Sequence, residues 1–225
     1  MFPNAAAGVK KIYTAEILSL IAAVLGFFAS IAFLAFSGAA GTAIAEDEIS
    51  DAAVTGMVAG GALTVVLGIG VAVLTLIAFI LKLIGINKAK LDEPYFNSAF
   101  IFVLVGIGVS VLAAIFTSSE TLNGIFSAVS NIASLCVTIC IIKGIINVAK
   151  RSQNNALADK GTSVLKLIAA VYIISIISNL LSAIFKSSQA LQTIAGILGL
   201  IAGVVAVVYY FIYLSLLSKA KKEIS

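Results

Sequence analysis

Charged residues punctuate this chain rather than cover it. Between them lie six stretches without Asp, Glu, Lys or Arg, at residues 17–45, 52–81, 94–119, 121–142, 167–185 and 187–218. Each is about as long as the roughly 20 residues that a helix needs to cross a hydrocarbon core of roughly 30 Å. Unpaired amide groups are too costly in lipid for irregular spans, so all six stretches are predicted to be helices. The polar segments between them are too short to fold separately. The expected fold is therefore an all-α integral membrane protein, a single membrane domain over residues 1–225 with six transmembrane helices.

An internal repeat groups these spans. Residues 111–126 align without gaps to residues 180–195 with eight identities in sixteen positions, and the pair Ser118 and Ser119 recurs as Ser187 and Ser188. The ends of the even spans also match one another: Ile86-Asn87-Lys88-Ala89-Lys90, Ile146-Asn147-Val148-Ala149-Lys150 and Leu217-Ser218-Lys219-Ala220-Lys221. The chain reads as three tandem helical hairpins, at residues 10–90, 91–160 and 161–225. Repeats that share one orientation place any pseudo-symmetry axis along the membrane normal. The paired serines are expected to accept from free amides where spans four and six begin, and Asp92 and Glu93 before Pro94 to start span three.

Composition agrees with the pattern. Hydrophobic residues make up 61% of the chain and charged residues 11%, and the mean hydropathy is +1.19, which excludes soluble, disordered and disulfide-scaffold classes. Thirteen of the fourteen basic residues fall on one side of the predicted spans; Lys186 falls on the other, with Glu46, Asp47, Glu48, Asp51 and Glu120. Both termini are thus expected to be cytoplasmic. The net charge of +4 is a topology signal with a mild attraction to anionic lipid, and no nucleic-acid partner is expected. The first apolar run is about twice as long as the core of a signal peptide, so it is expected to remain as a span.

Small residues recur at close spacing on most spans: Ala22, Gly26 and Ser30; Gly56, Gly60, Thr64 and Gly68; Gly106, Ser110 and Ala114; Ala195, Gly199, Gly203 and Ala206. They are expected to form seams for tight helix contact, within the chain or with another.

Two spans carry polar stripes at helical spacing. Ser127, Ser130, Asn131, Ser134 and Thr138 share one face of span four, while Tyr172, Ser175, Ser178, Asn179 and Ser182 share one face of span five. The preferred reading is that the stripes join helices through hydroxyl and amide hydrogen bonds; the alternative is that they line a cavity. Lys82, Lys143, Lys166 and Glu16 lie one to two turns inside span ends and are candidates for contact with lipid head groups.

Catalytic chemistry finds little support. The chain has no histidine, its acids lie at membrane edges, and Cys136 and Cys140 have no partners for a metal site, so no enzyme activity, cofactor or metal is expected. The acidic segment 46–51 lacks the alternation of a calcium loop. Two functions remain: a structural or accessory protein that self-associates or packs in a membrane complex, and a small transporter or channel for a neutral or weakly polar solute.

Overall fold

The computed structural model describes residues 2–45, 51–116, 120–184 and 189–224. Within these, the side chains of 34–45, 51–60, 120, 121, 123, 124, 127, 174–184, 189–196, 198–200 and 202 are outside the description. Among the described residues there are six helices: α1 (Pro3–Ala45), α2 (Asp51–Ala89), α3 (Pro94–Ile115), α4 (Glu120–Arg151), α5 (Asn155–Ile184) and α6 (Gln189–Glu223). Five contain stretches long and apolar enough to cross a membrane: Pro3–Phe33, Gly61–Ala89, Pro94–Ile115, Ala128–Arg151 and Gly203–Glu223. The expected fifth span, residues 167–185, falls mostly on side chains outside the description.

Water could not solvate these helices as they stand. Phe27 is 64% exposed, Val66 65%, Ile115 65% and Val204 66%, and such bands of large apolar side chains belong in lipid. The chain is a multi-pass helical membrane protein.

Two compact units make up the chain, one of Thr14–Lys82 and one of Met1–Tyr13 with Leu83–Ser225. In the second, α3 packs along α4, α5 along α6, and α4 against α5.

The best-packed region of that unit lies where residues 3–13, 83–93, 141–165 and 213–224 gather, here called the base. Every helix except α3 is longer than a membrane requires, and the surplus turns are amphipathic. Ala5, Val9 and Ile12 recur at helical spacing in α1, and all three are buried while Lys10 is exposed. Leu157 and Val164 do the same in α5 beside exposed Asp159, and Leu216, Leu217 and Ala220 in α6 beside exposed Lys222. One core unites them with Ile86, Ala89, Phe96, Ile141, Ile145 and Val148. Each fully buried Val, Ile or Leu contributes about 1.5–3 kcal/mol where water is the alternative environment. The connecting segments are short, as their composition implied, yet the helix ends they join build a core of their own.

Glycine permits the closest approaches in the base. A Cβ added at Gly85 would lie 2.8 Å from the Gly8 carbonyl oxygen and 2.8 Å from Ile12 Cγ1, while one at Gly8 would strike the Gly85 carbonyl. Gly144 takes the edge of the Phe96 ring, and Gly161 takes Ile146. Of the seam positions expected from sequence, Gly56, Gly60, Ala195 and Gly199 lie outside the described side chains. Of the others, Gly106 meets Ala133 at ordinary distance and Ala22 is buried, but Gly26, Gly68 and Gly203 face open space. Spacing shows where a helix permits close approach and leaves the neighbour unspecified.

Candidate functional site

The polar stripes are described only in part. On α4, Asn131 and Ser134 are exposed, Ser130 and Thr138 are half-buried, and the Thr138 hydroxyl donates to the Ser134 carbonyl of its own helix at 3.1 Å. On α5, Tyr172 is half-buried. Ser127, Ser175, Ser178, Asn179 and Ser182 lie outside the described side chains, as do Ser118, Ser119, Ser187, Ser188 and the acidic segment 46–50.

The candidate lipid-facing charges differ among themselves. In the Thr14–Lys82 unit, Lys82 Nζ donates to Glu16 Oε1 at 2.7 Å, with the glutamate side chain 8% exposed. In the other unit Lys143 and Lys166 are exposed, and Lys143 Nζ lies 5.8 Å from the centre of the Tyr95 ring.

The most developed polar site is in the base, on the four-residue connection before α3. Pro94 occupies the first turn and Glu93 is the N-cap, with extended backbone and its side chain accepting from the Tyr95 amide. Glu93 is almost wholly buried, which a carboxylate tolerates only with its charge matched and its oxygens bonded. Both conditions are met: Asn147 Nδ2 donates to Oε1 at 2.9 Å, and Arg151 Nη1 donates to Oε2 at 3.2 Å. The same guanidinium donates to the Asp92 carbonyl at 3.1 Å and lies over the Phe2 ring.

Asp92 acts on a different helix. Its Oδ1 accepts from Asn4 Nδ2 at 2.9 Å and its Oδ2 from the Ala5 amide at 2.8 Å. Since α1 has no acidic residue in its first turn, Asp92 supplies from a distance the acceptor and the negative charge that a helix start favours. Partial burial pushes the Asp92 carboxyl up, but the hydrogen bonds from Asn4 and Ala5 and the Arg151 charge outweigh it and hold the carboxyl below its usual range.

On the far side of the base, Gln153 turns the chain between α4 and α5 with φ of 58°. The Asn154 amide donates back to the Ala149 carbonyl at 2.8 Å, a helix ending that ordinarily uses glycine. Asn154 then caps α5 by accepting from the Leu157 amide at 3.0 Å and reaches α6 through Glu223 at 2.8 Å.

Asp92, Glu93, Arg151 and Asn154 are thus committed to holding helices. Among the described residues no group of three His, Cys, Asp or Glu side chains could hold a metal ion, and Cys136 and Cys140 are free thiols. In the sequence Asp92 and Glu93 signal only a helix start; the partners of Asp92 stand 87 and 88 residues away, beyond any local signal. Comparison with family models, with curated proteins and with solved structures finds no match.

Proposed function

We propose that this chain is a six-span membrane protein of three tandem hairpins with cytoplasmic termini, and that its role is structural or accessory. In this reading it packs against copies of itself or against helices of a membrane complex. The supporting observation is the set of open glycines: a Cβ added at Gly26, Gly68, Gly70, Gly108 or Gly203 would meet nothing within 4 Å. Glycine in a helix costs about 0.8–1 kcal/mol relative to alanine, and facing lipid it gains no packing in return. A neighbouring helix turns each notch into close backbone contact, which is how association proceeds where hydrophobicity offers no drive. Between α1 and α2, Ala29, Ser30, Phe33, Thr64 and Gly68 line an open groove of about 390 Å³, continuous with this interpretation.

Crosslinking in native membranes followed by mass spectrometry tests it. A homo-oligomer or stoichiometric partner is expected for the unaltered chain, reduced by Gly108→Leu with Gly203→Leu while the helical content stays the same. A stable lone monomer overturns the reading.

Exposure of Asn131 and Ser134 on α4 also favours a second reading, transport of a neutral or weakly polar solute along the stripes. Under it, Asn131→Leu with Asn179→Leu abolishes flux in proteoliposomes; under the packing reading the same pair weakens association and leaves no flux to lose.

A further inference from the structure

Cations at the base mostly have partners within the chain. Arg151 is paired with Glu93, Lys219 with Glu223, Lys160 donates to Ser215 at 2.7 Å, Lys221 lies 3.8 Å over Tyr13 and Lys90 4.2 Å over Phe100. Lys143 differs in depth and in surroundings. It stands eight residues inside the end of α4, about 12 Å along the axis, and is exposed. Among the described residues no carboxylate lies within ion-pair distance of it; its recorded neighbour is Tyr95, itself 40% exposed on the first turn of α3.

The nearby acids are turned elsewhere, Glu93 to Asn147 and Arg151 and Asp92 to Asn4 and Ala5. Glu93 also caps the start of α3 by accepting from the Tyr95 amide, which leaves the Lys143 ammonium beside the exposed Tyr95 ring as the charge without a carboxylate partner among the described residues. Their level is also defined. Glu93 bonds Asn147 and Gly144 packs on Phe96, so Lys143 and Tyr95 lie at one height. Immediately beyond them begins the exposed apolar band of α3, with Ile101 52% exposed and Leu104 49%. A cation beside a tyrosine at the rim of such a band has the chemistry of an interfacial site.

We infer that Lys143 and Tyr95 form a binding site for the phosphate of an anionic phospholipid in the leaflet on the side of the chain termini. The lysine ammonium would neutralise the phosphodiester and the tyrosine hydroxyl donate to one of its oxygens, with the acyl chains entering the apolar layer that begins at this level. A phospholipid is favoured over a free phosphate ion because the site stands at the level where the exposed apolar band of α3 begins.

Native mass spectrometry of the full chain in mild detergent, titrated with phosphatidylglycerol or phosphatidylcholine, tests the assignment. The unaltered protein should retain one phosphatidylglycerol in preference to phosphatidylcholine. Lys143→Gln should weaken that retention about fivefold, the worth of one lysine beside an anionic surface, and Tyr95→Phe should weaken it less. Lys88→Gln, the same charge change at the exposed end of α2, should alter it less than twofold, and Lys143→Arg should keep it, which separates lost charge from lost fold. Equal retention by Lys143→Gln and the unaltered protein, or equal retention of the two lipids, overturns the inference. Displacement of phosphatidylglycerol by millimolar inorganic phosphate would assign the site to a free anion and overturn it too.

Discussion

Replacing Gly85 with alanine tests whether the base is held by backbone contact between α1 and α2. The new methyl would stand 2.8 Å from both the Gly8 carbonyl oxygen and Ile12 Cγ1, and 3.0 Å from the Ile12 amide nitrogen. Comfortable separation is about 3.5 Å, so the two helices must part by roughly 0.5–1 Å, and a gap of that size forfeits about a quarter to a half of each dispersion contact across it. Ala5, Val9, Ile12, Ile86 and Ala89, all buried to 0% exposure, are the side chains that would lose contact. Overpacking of this kind costs about 1–3 kcal/mol, against which alanine returns about 1 kcal/mol of helix propensity. The expected net effect is a loss of up to about 2 kcal/mol. At Gly108, where an added Cβ meets nothing, the same change keeps the propensity gain alone and should stabilise the monomer by up to about 1 kcal/mol. Chemical unfolding of each variant in mild detergent at low protein concentration, followed by helical circular dichroism, reads both values. If the two substitutions shift stability in the same direction, the contact reasoning is wrong.

Glu93→Gln removes the charge that Arg151 and Asn147 surround and should cost about 2 kcal/mol, with most of the loss absent in an Arg151→Met background; the same unfolding assay forms the double-mutant cycle. The lowered carboxyl of Asp92 implies stability that is present above its ordinary value of 3.8 and disappears as pH falls through the lower folded value. Hydrogen-exchange protection factors of the segment around Ala5, corrected for the intrinsic rate at each pH, should therefore stay high from neutral pH down to about 4 and fall below it, and Asp92→Ala should lower them at neutral pH. Gln153→Gly relieves a left-handed side chain at the α4–α5 turn and should stabilise by about 0.5–1 kcal/mol by the same measure.

Much of the membrane-facing architecture was legible because lipid excludes charge. The stretch starting at 94 begins where α3 begins, and Glu93 with Pro94 forms the helix start that their order implied. What local pattern did not reveal was the extent of the other helices toward the termini. Ala5, Val9 and Ile12 lie outside the charge-free stretches because Lys10 and Lys11 interrupt them, yet their spacing is that of a helix with one buried face. The candidate site was legible as composition more than as geometry. Lys82 and Lys143 occupy similar places near span ends, but one has Glu16 as its partner and the other a tyrosine ring, a difference set by packing and not by spacing.

The core of the base includes Ala5, Val9 and Ile12 near one end of the sequence and Leu216, Leu217 and Ala220 near the other, and Lys221 lies over Tyr13. Such closure is slow relative to local helix formation. During synthesis α2 can cover part of the apolar face of α1 through Gly85 and Ala89, and the arrival of α6 completes the core. The base is thus the last part of the molecule to mature, and a chain stopped before residue 213 would carry an uncovered hydrophobic surface of the kind that folding surveillance recognises.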